Sequence, residues 1–235
     1  MREDMGPRND SPLGAPVNSA PARRPQHTTL AGRRVTLVPL DPAAHAPALY
    51  EATCRTENEA LWLYLSNGPF AGREDFDAHL AKIAVSEDPL YFAIVDNVSG
   101  LAAGYAAYLR IEPGHRVIEV GGILFSPRLQ RTAGATEAMY LMARHAFEDL
   151  GYRRYEWKCH SLNTPSRRAA LRLGFTFEGI FRQHMIVKGR NRDTAWFSML
   201  DTEWPVRKGA LERWLDPSNF DADGRQKQSL SALPA

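Results

Sequence analysis

Residues 117 to 150 restrict the fold more than any other stretch of the chain. Val120-Gly121-Gly122-Ile123-Leu124-Phe125 is an apolar run of strand character, and the residues from Ala133 to Leu150-Gly151 have a helical pattern. In that helix Ala135, Met139, Met142, Ala143, Ala146 and Leu150 recur on one face at helical spacing, so the stripe reads as core. Between strand and helix lies Ser126-Pro127-Arg128-Leu129-Gln130-Arg131-Thr132. The first-turn N–H groups of a helix lack intrahelical partners, and the dipole places partial positive charge there. A strand, a turn and a helix start therefore make an anion cradle. Small residues at Ala133, Gly134 and Ala135 let a phosphate approach the backbone, and Arg128 and Arg131 add formal charge beside it. By these residues alone, an ordinary strand-to-helix turn fits equally well.

The rest of the chain frames that crossover. Residues 1 to about 28 are rich in Pro, Gly, Ala, Ser, Asn and Arg and nearly free of large apolar residues, which predicts a disordered tail. Arg33 to Leu40 alternates as a first strand. Asp41-Pro42 supplies a cap and a first-position proline for a helix over 43–54. A helical stretch near 58–65 ends at Ser66-Asn67-Gly68-Pro69, and a further helix is predicted over 74–86. Strands are predicted over 90–95 and 101–111, joined by the turn Asp96-Asn97-Val98-Ser99-Gly100, then over 116–125. After the long helix come a strand over 153–160 and a short helix at 167–173, with Thr164 as cap, Pro165 at its start and Gly174 as its left-handed close. Two strands follow, 177–187 and 193–200, then a helix near 204–215 and a loose end. This order, hairpins around one strand-helix-strand crossover, predicts an α/β chain of the α+β type with a domain over 29–202. Residues 203–235 form its C-terminal helix and tail.

Charge narrows the ligand. The chain carries only +2, yet residues 128–192 hold thirteen Lys/Arg against five Asp/Glu, a local charge of +8, which leaves −6 for the remainder. A locally basic half suits a polyanion. A nucleic acid is the rival ligand, but no aromatic-basic platform or recognition-helix motif accompanies the charge, so none is expected. No run reaches the length of a membrane helix, and the N-terminus shows no secretory h-region. The two cysteines, Cys54 and Cys159, and the seven histidines follow no metal or redox spacing, so no metal is expected.

The turn and helix start resemble the acyl-CoA pyrophosphate loop of the GNAT (Gcn5-related) N-acetyltransferases, Gln/Arg-x-x-Gly-x-Gly/Ala. It reads Gln130-Arg131-Thr132-Ala133-Gly134-Ala135 here, with Ala133 at a position the family usually fills with glycine. The following Thr136-Glu137-Ala138 is similar to the RimJ/RimL-like branch of ribosomal-protein N-terminal acetyltransferases. The resemblance covers about 170 residues. It implies a GNAT fold: a mixed, mostly antiparallel twisted sheet of six or seven strands, flanked by helices and splayed where acyl-CoA enters. It also implies acetyl-CoA as acyl donor, held by Arg128 and Arg131 to Thr136, with the backbone of Ile123, Leu124 and Phe125 along the pantetheine arm. The partners implied are an amine acceptor, either a peptide N-terminus or a small molecule, in a cytoplasmic monomer or homodimer. A non-catalytic acyl-CoA-binding module remains the rival.

Asn163 and Ser166 form the Asn-x-x-Ser motif of the resembling branch, which places Asn163 near the pantetheine end of CoA; both Asn163 and Thr164 are also plain helix caps. Many family members carry a tyrosine acid four residues before the Gly of Gly174-Phe175, where this chain has Ala170. A thiolate is a tolerable leaving group, and Ser166 or water is left to protonate it. Glu119 interrupts the apolar run Val117-Ile118-Glu119-Val120. A buried carboxylate there is a candidate general base, or the partner of an arginine in a cross-strand ion pair. At pH 7, neutralising an α-ammonium costs about 1 kcal/mol and a lysine ammonium about 4–5 kcal/mol, so a site with one carboxylate and no tyrosine favours an α-amine. Trp62, Tyr64 and Phe70 are candidates for an acceptor wall, with core packing expected for at least two of them. Arg182, His184 and Trp196 are candidates for the opposite side.

Overall fold

The computed structural model describes residues 13–232. Eight strands form one sheet in the order β1-β2-β3-β4-β5-β6-β8-β7. They are β1 (Leu30–Ala31), β2 (Val35–Pro39), β3 (Leu90–Asp96), β4 (Ala102–Glu112), β5 (Val117–Phe125), β6 (Arg154–His160), β7 (Thr176–Val187) and β8 (Arg190–Leu200). Every neighbouring pair is antiparallel except β5 with β6. The strand beyond the expected six or seven is the two-residue β1, too short for any periodicity to reveal.

Both faces of the central strands are covered, so β3 and β4 bury side chains on alternate sides. Phe92, Ile94 and Tyr108 belong to one core cluster. Tyr91, Ala93 and Tyr105 belong to the other. The first cluster lies under α3 (Ala133–Arg144), α4 (Thr164–Arg172) and α5 (Trp204–Leu215). The second lies under α1 (Pro42–Thr53), α2 (Arg73–Ala84) and the 3-10 turn Thr56–Trp62 between them. Sequence caps set several of these boundaries: Asp41 accepts from Ala43 N at the start of α1, with Pro42 at the first position. Trp62 belongs to the core, 1% exposed, with its indole N–H donated to Thr53 O and its ring edge-on to Phe70.

The tail departs from expectation. Residues 1–12 lie outside the described residues. Over 13–28 no helix or strand forms, yet Ala22 and Pro25 are buried. Ala22 N donates to Pro113 O at 3.0 Å and Arg23 N to Leu150 O at 2.8 Å, so this segment is strapped to the domain rather than loose. Its apolar content is low, but two backbone hydrogen bonds need no apolar side chain.

Candidate active site

The site begins where the sheet comes apart. β5 and β6 pair in parallel from Val117↔Arg154 to Val120↔Trp157, and no further. Beyond that point β6 stays paired with β8 up to His160, while Gly121–Phe125 of β5 keeps only its β4 partner. A bulge drives the divergence: Gly122 and Ile123 both lie opposite Ala106, between the pairs Ala107↔Gly121 and Tyr105↔Leu124. Gly122 has φ +58, and a Cβ there would lie 3.1 Å from the Tyr91 ring, so both backbone and space call for glycine. Ile123, Leu124 and Phe125 thus border a gap on the β6 side.

At the mouth of that gap α3 begins. Its cap is Thr132, whose hydroxyl donates to Leu129 O (2.7 Å) and accepts from Ala135 N (3.1 Å). The N–H groups of Ala133 and Gly134 are then the first-turn donors left for an anion. Arg128 and Arg131 are exposed beside them, Arg131 with φ +61. Thr136 is buried, and its hydroxyl accepts from Arg172 Nη1 at 3.1 Å. Arg172 reaches across from α4, half-buried, with its guanidinium 4.6 Å from the Trp214 ring centre. Sequence reading missed this cation, which only the fold brings to the cradle.

Glu119 stands at the inner end of the gap. It is 1% exposed, and a Cβ on Gly121 would lie 3.2 Å from its Oε1. The ion-pair alternative is present. Glu119 Oε2 is 3.2 Å from Lys158 Nζ, across the parallel ladder, and 3.8 Å from Arg110 Nε. Burial pushes its pKa up to about 7, against the pull of Lys158 and Arg110. Its register neighbour Glu156 is also buried but is held by Arg154 Nε at 2.6 Å.

On the other side of the gap, Asn163 rather than Thr164 caps α4: its Oδ1 accepts from Ser166 N at 3.1 Å, and Thr164 is the first helical residue. Asn side chains reach the second or third N–H of a helix as readily as Thr, and here the chain turns one residue earlier. Ser166 Oγ accepts the indole N–H of Trp157 at 3.0 Å. Ala170 is fully buried, and Gly174 closes the helix at φ +96. Tyr64 spans toward β6, its hydroxyl on Leu162 O at 3.2 Å and its ring 5.3 Å from His160. Trp196 is buried beneath the Arg110 and Lys158 cations and His184 bonds Thr194 Oγ1 at 2.9 Å, while Arg182 is exposed on β7. Among the described residues no three His, Cys, Asp or Glu come together to hold a metal, and no helix is long and apolar enough to cross a membrane.

A splayed sheet with an anion cradle at the following helix defines an acyl-CoA-dependent acyltransferase architecture. A sequence model of the acetyltransferase (GNAT) domain matches residues 34–176. A GCN5-related N-acetyltransferase from Brucella melitensis is 50% identical, over 91% of this chain and 97% of that one, with a TM-score of 0.89. A GNAT-family protein from Chromobacterium violaceum is 40% identical over 83% and 100%, at TM-score 0.75. A Salmonella typhimurium acetyltransferase that modifies the N-terminal serine of a 50S ribosomal subunit protein shares the fold, at 19% identity over 74% and 99% and TM-score 0.64. No curated protein matches. The chain belongs to the GNAT N-acetyltransferase family, whose members use acetyl-CoA as cosubstrate.

Proposed function

We propose that this chain transfers the acetyl group of acetyl-CoA to a primary amine by direct attack, with Glu119 as the general base. The observation that carries the reading is a carboxylate 1% exposed at the inner end of the gap, its pKa raised by burial to about 7. A base of that strength is ionised often enough at neutral pH and still accepts a proton readily. Arg128, Arg131 and the N–H groups of Ala133 and Gly134 hold the pyrophosphate, with Arg172 behind them. The unpaired edge of Gly121–Phe125 takes the pantetheine amides as a neighbouring strand would. The amine attacks the thioester carbon as Glu119 takes its proton, and the C–S bond breaks as the tetrahedral centre collapses. The departing thiolate takes its proton from water or through Ser166, which solvent then reprotonates; Ser166 Oγ accepts the Trp157 N–H at 3.0 Å. The acceptor is an α-amine, of a peptide N-terminus or of a small molecule, since its neutral form costs least to reach. The Salmonella protein's N-terminal serine substrate is one precedent for that class.

Thermal unfolding with acetyl-CoA tests the donor side. At 100 times its Kd the ligand adds about 2.7 kcal/mol, a rise of about 5–10 °C for a domain of this size. An Arg131→Glu variant is expected to lose most of that rise while keeping its unliganded midpoint. No rise with acetyl-CoA or free CoA would overturn the reading.

A further inference from the structure

The acceptor side of the cleft holds more donors than the described chain satisfies. Two buried donors have no hydrogen-bond partner, Arg192 Nε and Trp196 Nε1. Buried unpartnered donors are uncommon in folded chains, and each asks for an explanation. Trp196 is 6% exposed, and its ring centre lies 4.8 Å from the Arg110 guanidinium and 5.4 Å from Lys158 Nζ. These two cations are the same ones that approach Glu119. Arg192 lies on β8 two positions before Thr194 and four before Trp196, on the same face of the strand.

Charge is uneven here as well. Arg154 is occupied by Glu156 and Glu178. Arg110 and Lys158 share Glu119, with Arg110 also 3.8 Å from Glu156. Arg192 has no carboxylate within ion-pair distance among the described residues. His184, bonded to Thr194, faces the same group of cations.

Arg110 is brought to this face by a strained piece of backbone. β4 and β5 pair at Leu109↔Glu119 and next at Glu112↔Val117, so the ladder is broken at Arg110. Arg110 takes φ +48, uncommon outside glycine. Asp88 holds the kink, accepting from Arg110 N at 3.0 Å and Ile111 N at 3.1 Å. Regular alternation would have sent Arg110 to the face opposite Leu109; the kink turns its guanidinium over Glu119 and Trp196. Its side chain is 47% exposed, so it borders the solvent side of the cleft. Strain of this kind collects where a side chain must be aimed.

A ligand complementary to these groups presents an amine to Glu119 and an anionic oxygen group to the surplus donors. We infer that the acceptor bears a carboxylate beside its amine, bound by Arg110 with Arg192 and the Trp196 N–H, and that Arg110 selects it. This inference rests on the acetyl-transfer reading. Two sources carry that chemistry: a free α-amino acid, and a peptide whose first residue is acidic.

The test is acetyl transfer from acetyl-CoA to matched acceptors, with free thiol as readout, in wild type and Arg110→Met. One arm compares free amino acids with their amides, each rate referred to the concentration of neutral amine, the other an Asp-first peptide with its Asn-first counterpart. The acid is expected to exceed its neutral partner by about ten-fold or more in kcat/KM in one arm, which identifies the source. In Arg110→Met the ratio falls toward one through a rise in KM for the acid alone, with the acetyl-CoA thermal shift retained; loss of the Arg110 charge beside Glu119 alters the rate for both acceptors alike and cancels in the ratio. Equal rates for acid and neutral acceptors in both arms, or an unchanged ratio in the variant, overturn the inference and leave acetyl transfer standing. Absence of transfer to every acceptor, together with no stabilisation by acetyl-CoA, overturns both.

Discussion

Glu119→Gln is expected to lower kcat/KM for acetyl transfer by about 10²–10⁴-fold, the range a positioned general base contributes. Gln keeps the shape and an oxygen toward Lys158 but takes no proton. In the wild type the rate is expected to rise with pH as Glu119 ionises, with a midpoint at about 7. In the variant this limb disappears, leaving only the acceptor's own ionisation, which falls at about 7.7–8.0 for an α-amine. Stability moves in the opposite sense. A carboxyl whose folded pKa is raised binds more protons folded than unfolded between its two pKa values, so stability declines as pH climbs from about 4.5 to about 7. The upper bound of that decline is about 3 kcal/mol, and Glu119→Gln is expected to flatten it. Activity within about three-fold of wild type would remove Glu119 from the mechanism.

Glu137→Ala is expected to cost about 3–5 kcal/mol of stability, the largest single effect outside the apolar core. Glu137 is 6% exposed in the first turns of α3. Its Oε1 accepts from Arg33 N at 3.1 Å, and its Oε2 from Arg34 N at 2.6 Å and Val35 N at 2.9 Å. Three backbone donors that lead into β2 therefore end on one carboxylate, and alanine leaves them without it. The packing is close: a Cβ on Gly32 would lie 2.8 Å from Glu137 Oε2. Urea unfolding is the measurement, with Glu137→Gln expected between wild type and alanine because one oxygen remains. A loss under about 1 kcal/mol for alanine would show that water replaces the carboxylate at no cost.

What sequence reading could see was local. The caps at Asp41 and Asn163, the turn at Gly100 and the helical stripe after Gly134 depend on neighbours within a few residues, and they place most elements to within two residues. The small-residue loop and Glu119 were visible because each breaks an apolar pattern. What escaped depends on distant partners. β1 exists only because Leu30 and Ala31 pair with Leu37 and Thr36. Glu137 was read as part of a motif, although a carboxylate in a helix segment buried from Gly134 to Ala143 signals a fixed partner. Arg172 and Arg110 look like surface cations in one dimension. Fold contact brings the first to the cradle, and a left-handed residue that no local pattern announces turns the second over Glu119.

The seam between β5 and β6 spans only four residue pairs. Mechanically the eight strands are therefore two plates rather than one, with β1–β5 stiffened by α1 and α2, and β6–β8 by their long hairpin. α3 packs against residues of both, as a spine joins two covers. Only those four pairs cross the seam, so a rotation about it would change the width of the gap while leaving the ladders within each plate intact.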